Sequence, residues 1–416
     1  MGFIEKLSNL LRGETDGYVS SGTNEPTKSG SRVTHSDAIT DITIRAGVRA
    51  LAEDIASVPR HLYRRVDGSK MRADDHWMYR LFRDDPNPRM TGVEYRELEM
   101  YNLVTWGNHF AYIEMDAVLG IVPVALWPLR PDRMSIIVQP NGMRTYVYMA
   151  PDGKTDVFTE REIVHVMGLS SDGYIGQSVF TIHAETIGLH LAMRDYTALQ
   201  FSQGGLDGGF IIHPADLSDD AIRKLQQRLN DTAGNLSAHR WRVLREDMKI
   251  AQITGRSASE TQLIEARKFG ILEVAQMLRM PPDKLGDLTR ATLNLEEQGT
   301  NYVMYSLRPW VVRIESAYNK RLIGPHGREA GLFLEHNLDG LMRGDIEKRY
   351  TAYATARQWG WMSANKILEK ENEPGIGPAG DKYLTPLNMV DAAGGGSASP
   401  PTSPASSSVP DSTPPT

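Results

Sequence analysis

Along residues 181–203 small and apolar side chains recur at helical spacing, with Ala184, Gly188 and Ala192 every four residues beside Leu189, Met193 and Tyr196. The pattern predicts a long helix stopped by Gly204-Gly205, with a stripe slim enough for a neighbouring helix to approach closely. A second rod is expected over 257–278, where Leu263, Ala266, Gly270, Val274 and Met277 share one face. Between the rods the order is β-α-β-β: a strand at 209–213, a helix capped by Ser218 with Asp219 and Asp220 in its first turn, then strands at 240–244 and 249–253. Two long helices around a small insert predict a stalk with a tip.

Upstream, Ser36-Asp37 can cap a helix running to about 57, with Ile39, Ile42, Ala46, Arg49 and Ala50 at helical spacing before Pro59. A strand and turn follow around Asp67-Gly68, and Thr91 with Glu94 three residues on predicts a capping box. Over 111–166 the pattern changes to short strands at 112–114, 122–126, 134–138, 145–149 and 162–166, with turns at Asn141-Gly142 and Pro151-Asp152-Gly153.

Downstream, Met280-Pro281-Pro282 closes the second rod, and a small polar loop leads to Asn294. Asn294 can cap a third long helix, with Glu297 bonding back, that runs to about 322. Pro309 lies inside it, removes one ladder hydrogen bond and crowds the preceding turn, so a kink is expected there. Residues 345–359 read as a helix, Ser363 begins another, and 374–386 is irregular. Residues 13–37 and 392–416 are too poor in apolar side chains to offset their ordering entropy and are expected to be mobile.

Composition narrows the function. The chain has 416 residues, 40% hydrophobic, enough for two or three compact units. A net charge of −6 argues against wrapping nucleic acid tightly, because that requires many Lys and Arg to neutralise phosphates. The absence of cysteine removes disulfides, thiolate zinc sites and cysteine nucleophiles together. The amino-terminal residues lack the apolar core of a signal peptide, and the most apolar run, 117–129, is too short for a membrane span and holds Gly120, Pro123 and Pro128.

No catalytic constellation emerges. Gly153-Lys154-Thr155 imitates the end of a phosphate-binding loop, but Tyr148 stands where the earlier glycine is required, so a hairpin tip is expected. His165 lies in a strand among apolar residues and reads as a core histidine, and no histidine shows HExxH or close paired spacing. No cofactor or metal is implied.

Several blocks carry a resemblance. Asp85-Pro-Asn-Pro followed by Thr91, Trp106-Gly-Asn-His-Phe-Ala-Tyr, Leu129-Arg-Pro-Asp-Arg, Ile163-Val-His-Val, Gly173-Tyr-Ile-Gly-Gln-Ser, the run 275–285 and Gly360-Trp-Met-Ser-Ala-Asn-Lys resemble, in order, the blocks of the siphovirus-type portal proteins of tailed bacteriophages. So does the stretch Gly286-Asp-Leu-Thr-Arg-Ala-Thr with Asn294-Leu-Glu-Glu-Gln. One departure is Asn365-Lys366-Ile367-Leu368, where the family commonly has Asn-Glu-x-Arg.

The resemblance implies an α+β ring subunit with a mixed wing, long stem helices, a β-α-β-β clip, a kinked helix and a helical crown. On this chain that gives a mobile arm at 1–35, wing at 36–180, stem helix at 181–204, clip at 205–256, stem helix at 257–280, tunnel loop at 281–293, kinked helix at 294–324, crown at 325–388 and a disordered tail at 389–416. It further implies a homo-oligomer, twelve-membered in most of the family, at one capsid vertex, assembled in the host cytoplasm, and no enzyme. Expected partners are double-stranded DNA in the channel, the terminase large subunit, major capsid and scaffold proteins, and head-tail adaptors, with no membrane. Alternatives are another connector ring of the virion, or an enzyme with a dispersed site. For the tunnel loop, Arg290 and Lys284 are the candidate phosphate contacts, Thr289 and Thr292 neutral polar ones, and Asp287 a repulsive spacer.

Overall fold

The computed structural model describes residues 22–66, 68–116, 118, 122–202, 209–212, 219–220, 222–224, 249–252, 260–287, 295–338, 341, 346–371 and 373–384. Two compact units result, Met1–Met342 and Arg343–Thr416. The fold is α+β, with small antiparallel sheets set among helices.

The first unit opens with a hairpin, β1 (Gly22–Pro26) and β2 (Arg32–Thr34), in the segment expected to be mobile. Its turn is closed by Thr27, whose hydroxyl donates to the Ser31 carbonyl at 2.8 Å. The expected single helix over 36–57 is two: α1 (His35–Thr40), capped by Thr34 with Asp37 in a capping box, and α2 (Ile42–Ser57). Asp41 divides them, because its Oδ1 accepts from the Thr43 and Ile44 amides at 2.9 and 3.1 Å and so starts a new helix. That restart also changes the face: Ile42 is 82% exposed, whereas Ile44, Val48, Leu51 and Ile55 are buried.

Next come β3 (Arg60–Val66), β4 (Ser69–Arg72) and α3 (Met78–Arg83). The Thr91–Glu94 capping box forms as expected and begins α4 (Gly92–Trp106). Six strands follow: β5 (Asn108–Met115), β6 (Pro123–Leu129), β7 (Met134–Val138), β8 (Arg144–Met149), β9 (Thr155–Thr159) and β10 (Ile163–Met167). They form two sheets, β10-β5-β6 and β7-β8-β9. Strand β9 escaped the sequence reading because its five residues are almost wholly exposed and carry no buried alternation.

Helices α5 (Val179–Ile182) and α6 (Ala184–Ser202) follow, then the paired strands β11 (Gly209–Ile212) and β12 (Lys249–Gln252), and α7 (Glu260–Leu278). The expected cap Ser218 and strand 240–244 lie outside the described residues, as do Gly204-Gly205 and the tail beyond 384. Helix α8 (Leu295–Asn301) passes through a π-helical turn, Tyr302–Leu307, into α9 (Arg308–Tyr318). Pro309 sits in the first turn of α9, and just before it the Arg308 amide donates to the Val303 carbonyl, five residues back. The wider turn accommodates the ring that would otherwise press on the preceding carbonyls. A second π-helical turn, Asn319–Ile323, leads to α10 (Gly324–Glu329) and β13 (Leu332–His336), which returns to pair with β3.

One core unites most of this unit. Leu51 and Ile55 of α2, Met100 and Leu103 of α4 and Ile314 and Tyr318 of α9 are buried in it, together with Ile187 and Leu191 of α6 and Val274 and Leu278 of α7. Both long helices are therefore rooted in the same apolar mass as the sheets.

In the second unit α11 (Ile346–Gln358) is tied to α12 (Ala364–Glu371) by Arg349 Nη2 donating to Glu371 at 2.8 Å and Tyr353 at 2.9 Å. Asn365, in the block that departs from the family pattern, donates to the Gly377 carbonyl and Asp381, each at 2.8 Å, and accepts from the Ile376 amide. Its role is to fold the following loop onto α12.

Candidate functional site

The region of interest is the pair α6 and α7 with the segments that anchor them. The first anchor joins three of the sequence blocks. Asn108 Nδ2 donates to the carbonyls of Trp106 and Gly176 at 2.9 and 2.7 Å, and its Oδ1 accepts from the Gly176 amide at 2.8 Å. His165 Nε2 lies 3.0 Å from the same oxygen, so this nitrogen carries the proton and Nδ1 accepts from the Tyr146 hydroxyl at 3.2 Å. Burial holds the His165 imidazole well below its ordinary value, which keeps this pattern in place, although the residue is half-buried at the wall of a recess and not the core histidine that was expected.

Gly107 has φ +71°, and a Cβ there would lie 2.3 Å from the Gln177 carbonyl oxygen. Gly107→Ala is accordingly expected to destabilise the first unit by about 2–3 kcal/mol, combining left-handed strain with a backbone clash, as read by urea unfolding. A loss below about 0.5 kcal/mol would mean that the two segments are free to separate. From this knot Ser178 starts α5: its Oγ donates to the Thr105 carbonyl and accepts from the Phe180 amide at 3.1 Å.

The small-residue stripe behaves differently from expectation. At Gly188 a Cβ would lie 2.4 Å from Thr27 Oγ1, so this notch receives the β1–β2 turn rather than a helix. The Lys28 amide adds a bond to Glu185 Oε2 at 3.1 Å. The close helix approach occurs instead at Gly270 of α7, where a Cβ would lie 2.5 Å from His190 Nε2 of α6. His190 stands between Asp41 Oδ2 at 3.8 Å and Glu273 Oε2 at 3.7 Å. Burial pushes the Asp41 carboxyl up, but the His190 contact and the Ile44 and Thr43 amides outweigh it and hold it below its ordinary value.

Helix α7 ends at Arg279, which has φ 54°, and the Met280 amide donates back to Ala275 at 2.9 Å. A left-handed residue at this point satisfies carbonyls that the helix end would leave open. The chain continues through Pro281 into a 3-10 turn, Pro282–Leu285, and Gly286. Here Lys284 is placed with its Nζ 3.8 Å from Asp54 of α2 and 4.8 Å from the centre of the Tyr302 ring. Tyr302 donates to the same Asp54 oxygen at 2.8 Å. Burial and then the Asp54 charge raise the Tyr302 hydroxyl far above its ordinary value. Thus the Lys284 charge already has a carboxylate within the subunit, and Lys284 and Tyr302 both meet α2 at Asp54.

Asp287 is half-buried, and its amide closes the turn on Pro282 at 3.1 Å. Thr289, Arg290, Thr292 and Asn294 lie outside the described residues, and Glu297 is on α8. The sequence reading missed Asp54 and Tyr302, and met Asn108 only as a member of a family block. Asp54 carries no local signal, because its role depends on a tyrosine 248 residues away. Among the described residues no three His, Asp or Glu side chains are grouped to hold a metal, and no helix is long and apolar enough to cross a membrane.

This architecture has relatives. The family described as "Phage portal protein" matches residues 42–372. The probable portal protein of Streptomyces phage phiC31 is 29% identical over 379 residues, covering 87% of this chain and 81% of that one. The portal protein of Enterobacteria phage HK97 is 26% identical over 316 residues, covering 75% and 73%. Among solved structures, a chain in the neck of an empty gene transfer agent particle shares the fold with TM-score 0.58 at 20% identity, over 85% of this chain and 96% of that one. An HK97-family phage portal protein from Corynebacterium diphtheriae gives 0.57 at 15% identity, over 76% and 99%. With a family match spanning both long helices, the β10-β5-β6 and β7-β8-β9 sheets and α12, this chain belongs to the phage portal protein family.

Proposed function

We propose that this chain assembles with copies of itself into a closed ring of twelve at one capsid vertex, and that double-stranded DNA passes through the hole during packaging and ejection. The observation that carries this reading is the portal family match over 42–372, which takes in two long helices rooted in one core. The role is structural: a separate terminase motor supplies the energy, its large subunit docking on the ring, followed later by head-tail adaptors, while capsid and scaffold proteins surround the wing. The site of action is the virion, after assembly in the host cytoplasm.

A ring multiplies each exposed charge by its subunit number. A net charge of −6 per chain then favours a wall along which phosphates slide without being gripped, with local cations as transient contacts. Arg290 is the stronger such candidate, with Thr289, Thr292 and Asp287 around it. Lys284 is the weaker, because Asp54 competes for its charge.

Electron microscopy of the purified protein tests the assembly directly, and annular particles with a central hole are expected. Exclusively monomeric particles under all assembly conditions would refute the ring. Arg290→Ala is expected to leave the rings intact while packaging or DNA retention drops. Normal packaging and retention in that variant would remove Arg290 from the channel contacts.

A further inference from the structure

A recess of about 460 Å³ opens in the first unit between strands β8 and β10 and helix α9 with the π-helical turn after it. Four cationic side chains line it, Arg144, Arg313, Lys320 and Arg321, and no acid does. Outside the lining, Glu160 accepts from Arg144 Nε at 2.9 Å and lies 3.8 Å from Arg321, and Asp172 accepts from the lining Ser170 hydroxyl at 2.9 Å. One negative charge thus answers two of the four positive ones, in a chain whose overall charge is negative. Arg313 donates to the Gly168 carbonyl at 2.7 Å, which fixes its side chain across one wall. Lys320 is exposed.

Two apolar side chains also stand exposed on the rim, Leu169 at 61% and Val312 at 47%. From this we propose that the recess is a docking site for an acidic peptide segment of a partner protein, its carboxylates meeting the four cations and an apolar side chain resting on Leu169 and Val312. Two features favour a peptide over nucleic acid. The guanidinium stems of Arg144 and Arg321 are recessed, with side-chain exposures of 15% and 21%, so a slim carboxylate side chain reaches them and the convex backbone of a duplex does not. The two apolar rim side chains also have no counterpart in a phosphate backbone, whereas carboxylates flanking a leucine-like residue match both parts. The lining shares no residue with the 281–293 segment and the proposal does not depend on the ring.

The test uses the full chain and a fluorescent decapeptide of alternating Glu and Leu, followed by polarisation. Saturable binding is expected, weakened about tenfold by Lys320→Glu through loss and reversal of a rim charge. Leu169→Ser is expected to weaken it about fivefold, the scale of one exposed apolar contact. Both positions are exposed, so far-UV circular dichroism serves as the check that the fold is kept. A peptide of alternating Glu and Ser should bind less well, and inorganic phosphate or a short duplex should compete only at far higher concentration. No saturable binding, or binding indifferent to Lys320→Glu, overturns the proposal. Equal binding of the Glu-Ser peptide with ready displacement by phosphate would make the recess a simple anion site, and displacement by the duplex would make it a nucleic-acid contact; either result also overturns it.

Discussion

Arg60→Ala is expected to destabilise the first unit by about 3–5 kcal/mol, the range for stripping one partner from a buried ion pair. Arg60 is 1% exposed and Glu99 fully buried, and the guanidinium Nη2 donates to Glu99 Oε2. The same group donates through Nε to His336 Nε2 at 3.1 Å and lies 4.7 Å from the centre of the Tyr318 ring. Tyr318 in turn shares a 2.9 Å hydrogen bond with Tyr95. Burial alone would push the Glu99 carboxyl up, yet the adjacent Arg60 holds it below its ordinary value, so the carboxylate is charged. Removing Arg60 leaves that buried charge without its cation, with only the Tyr318 hydroxyl and His109 beside it. The matching double variant, Arg60→Met with Glu99→Leu, should recover most of the loss, because no buried charge remains. Urea unfolding of the three proteins checks this, and a cost below about 1 kcal/mol for Arg60→Ala would show that water reaches the pair.

The second large effect is acid lability beginning near pH 6.5. His61 and His109 are both buried and held down to about 4, in each case chiefly by burial, and His165 and His336 are well below their ordinary value for the same reason. For His336 the geometry gives a second cause: Arg60 donates to Nε2, so a proton there would meet a donor already in place. These groups are neutral in the folded chain, whereas an unfolded histidine takes a proton below about 6.5. The unfolded state therefore binds more protons in that window. The histidine contribution is complete above pH 6.5 and lost as pH falls toward 4. With a folded value of about 4 against 6.5 for His109, the loss is of order 3 kcal/mol for that residue alone. Thermal melts across pH 7.5 to 4.5 should show a steady fall, smaller in a His109→Gln variant once its own baseline is subtracted. A melting temperature flat over that interval would contradict neutral burial of these rings.

How far the chain could be read in advance follows from the range of each interaction. The helix start at Thr91, strands β7 and β8 and the rods α6 and α7 were legible, because each is set by residues within one or two turns of one another. The family blocks were legible too, since Asn108, Gly107 and Gly176 are constrained by backbone contacts that tolerate little else. What tertiary structure decided was partnership. Asp41 broke a helix that periodicity had made continuous, and Thr27, from a segment with too little apolar surface to predict order, filled the notch at Gly188. Lys284 turned toward Asp54, and Arg60 found Glu99 inside the core. Each of these depends on a charge or a small void meeting its complement across many residues, and no local pattern along the chain encodes that meeting. The sequence by itself determined the rods, the strands with buried alternation and the family, while the folded chain alone decided which charges are spent internally and which, as around Lys320, are left facing solvent.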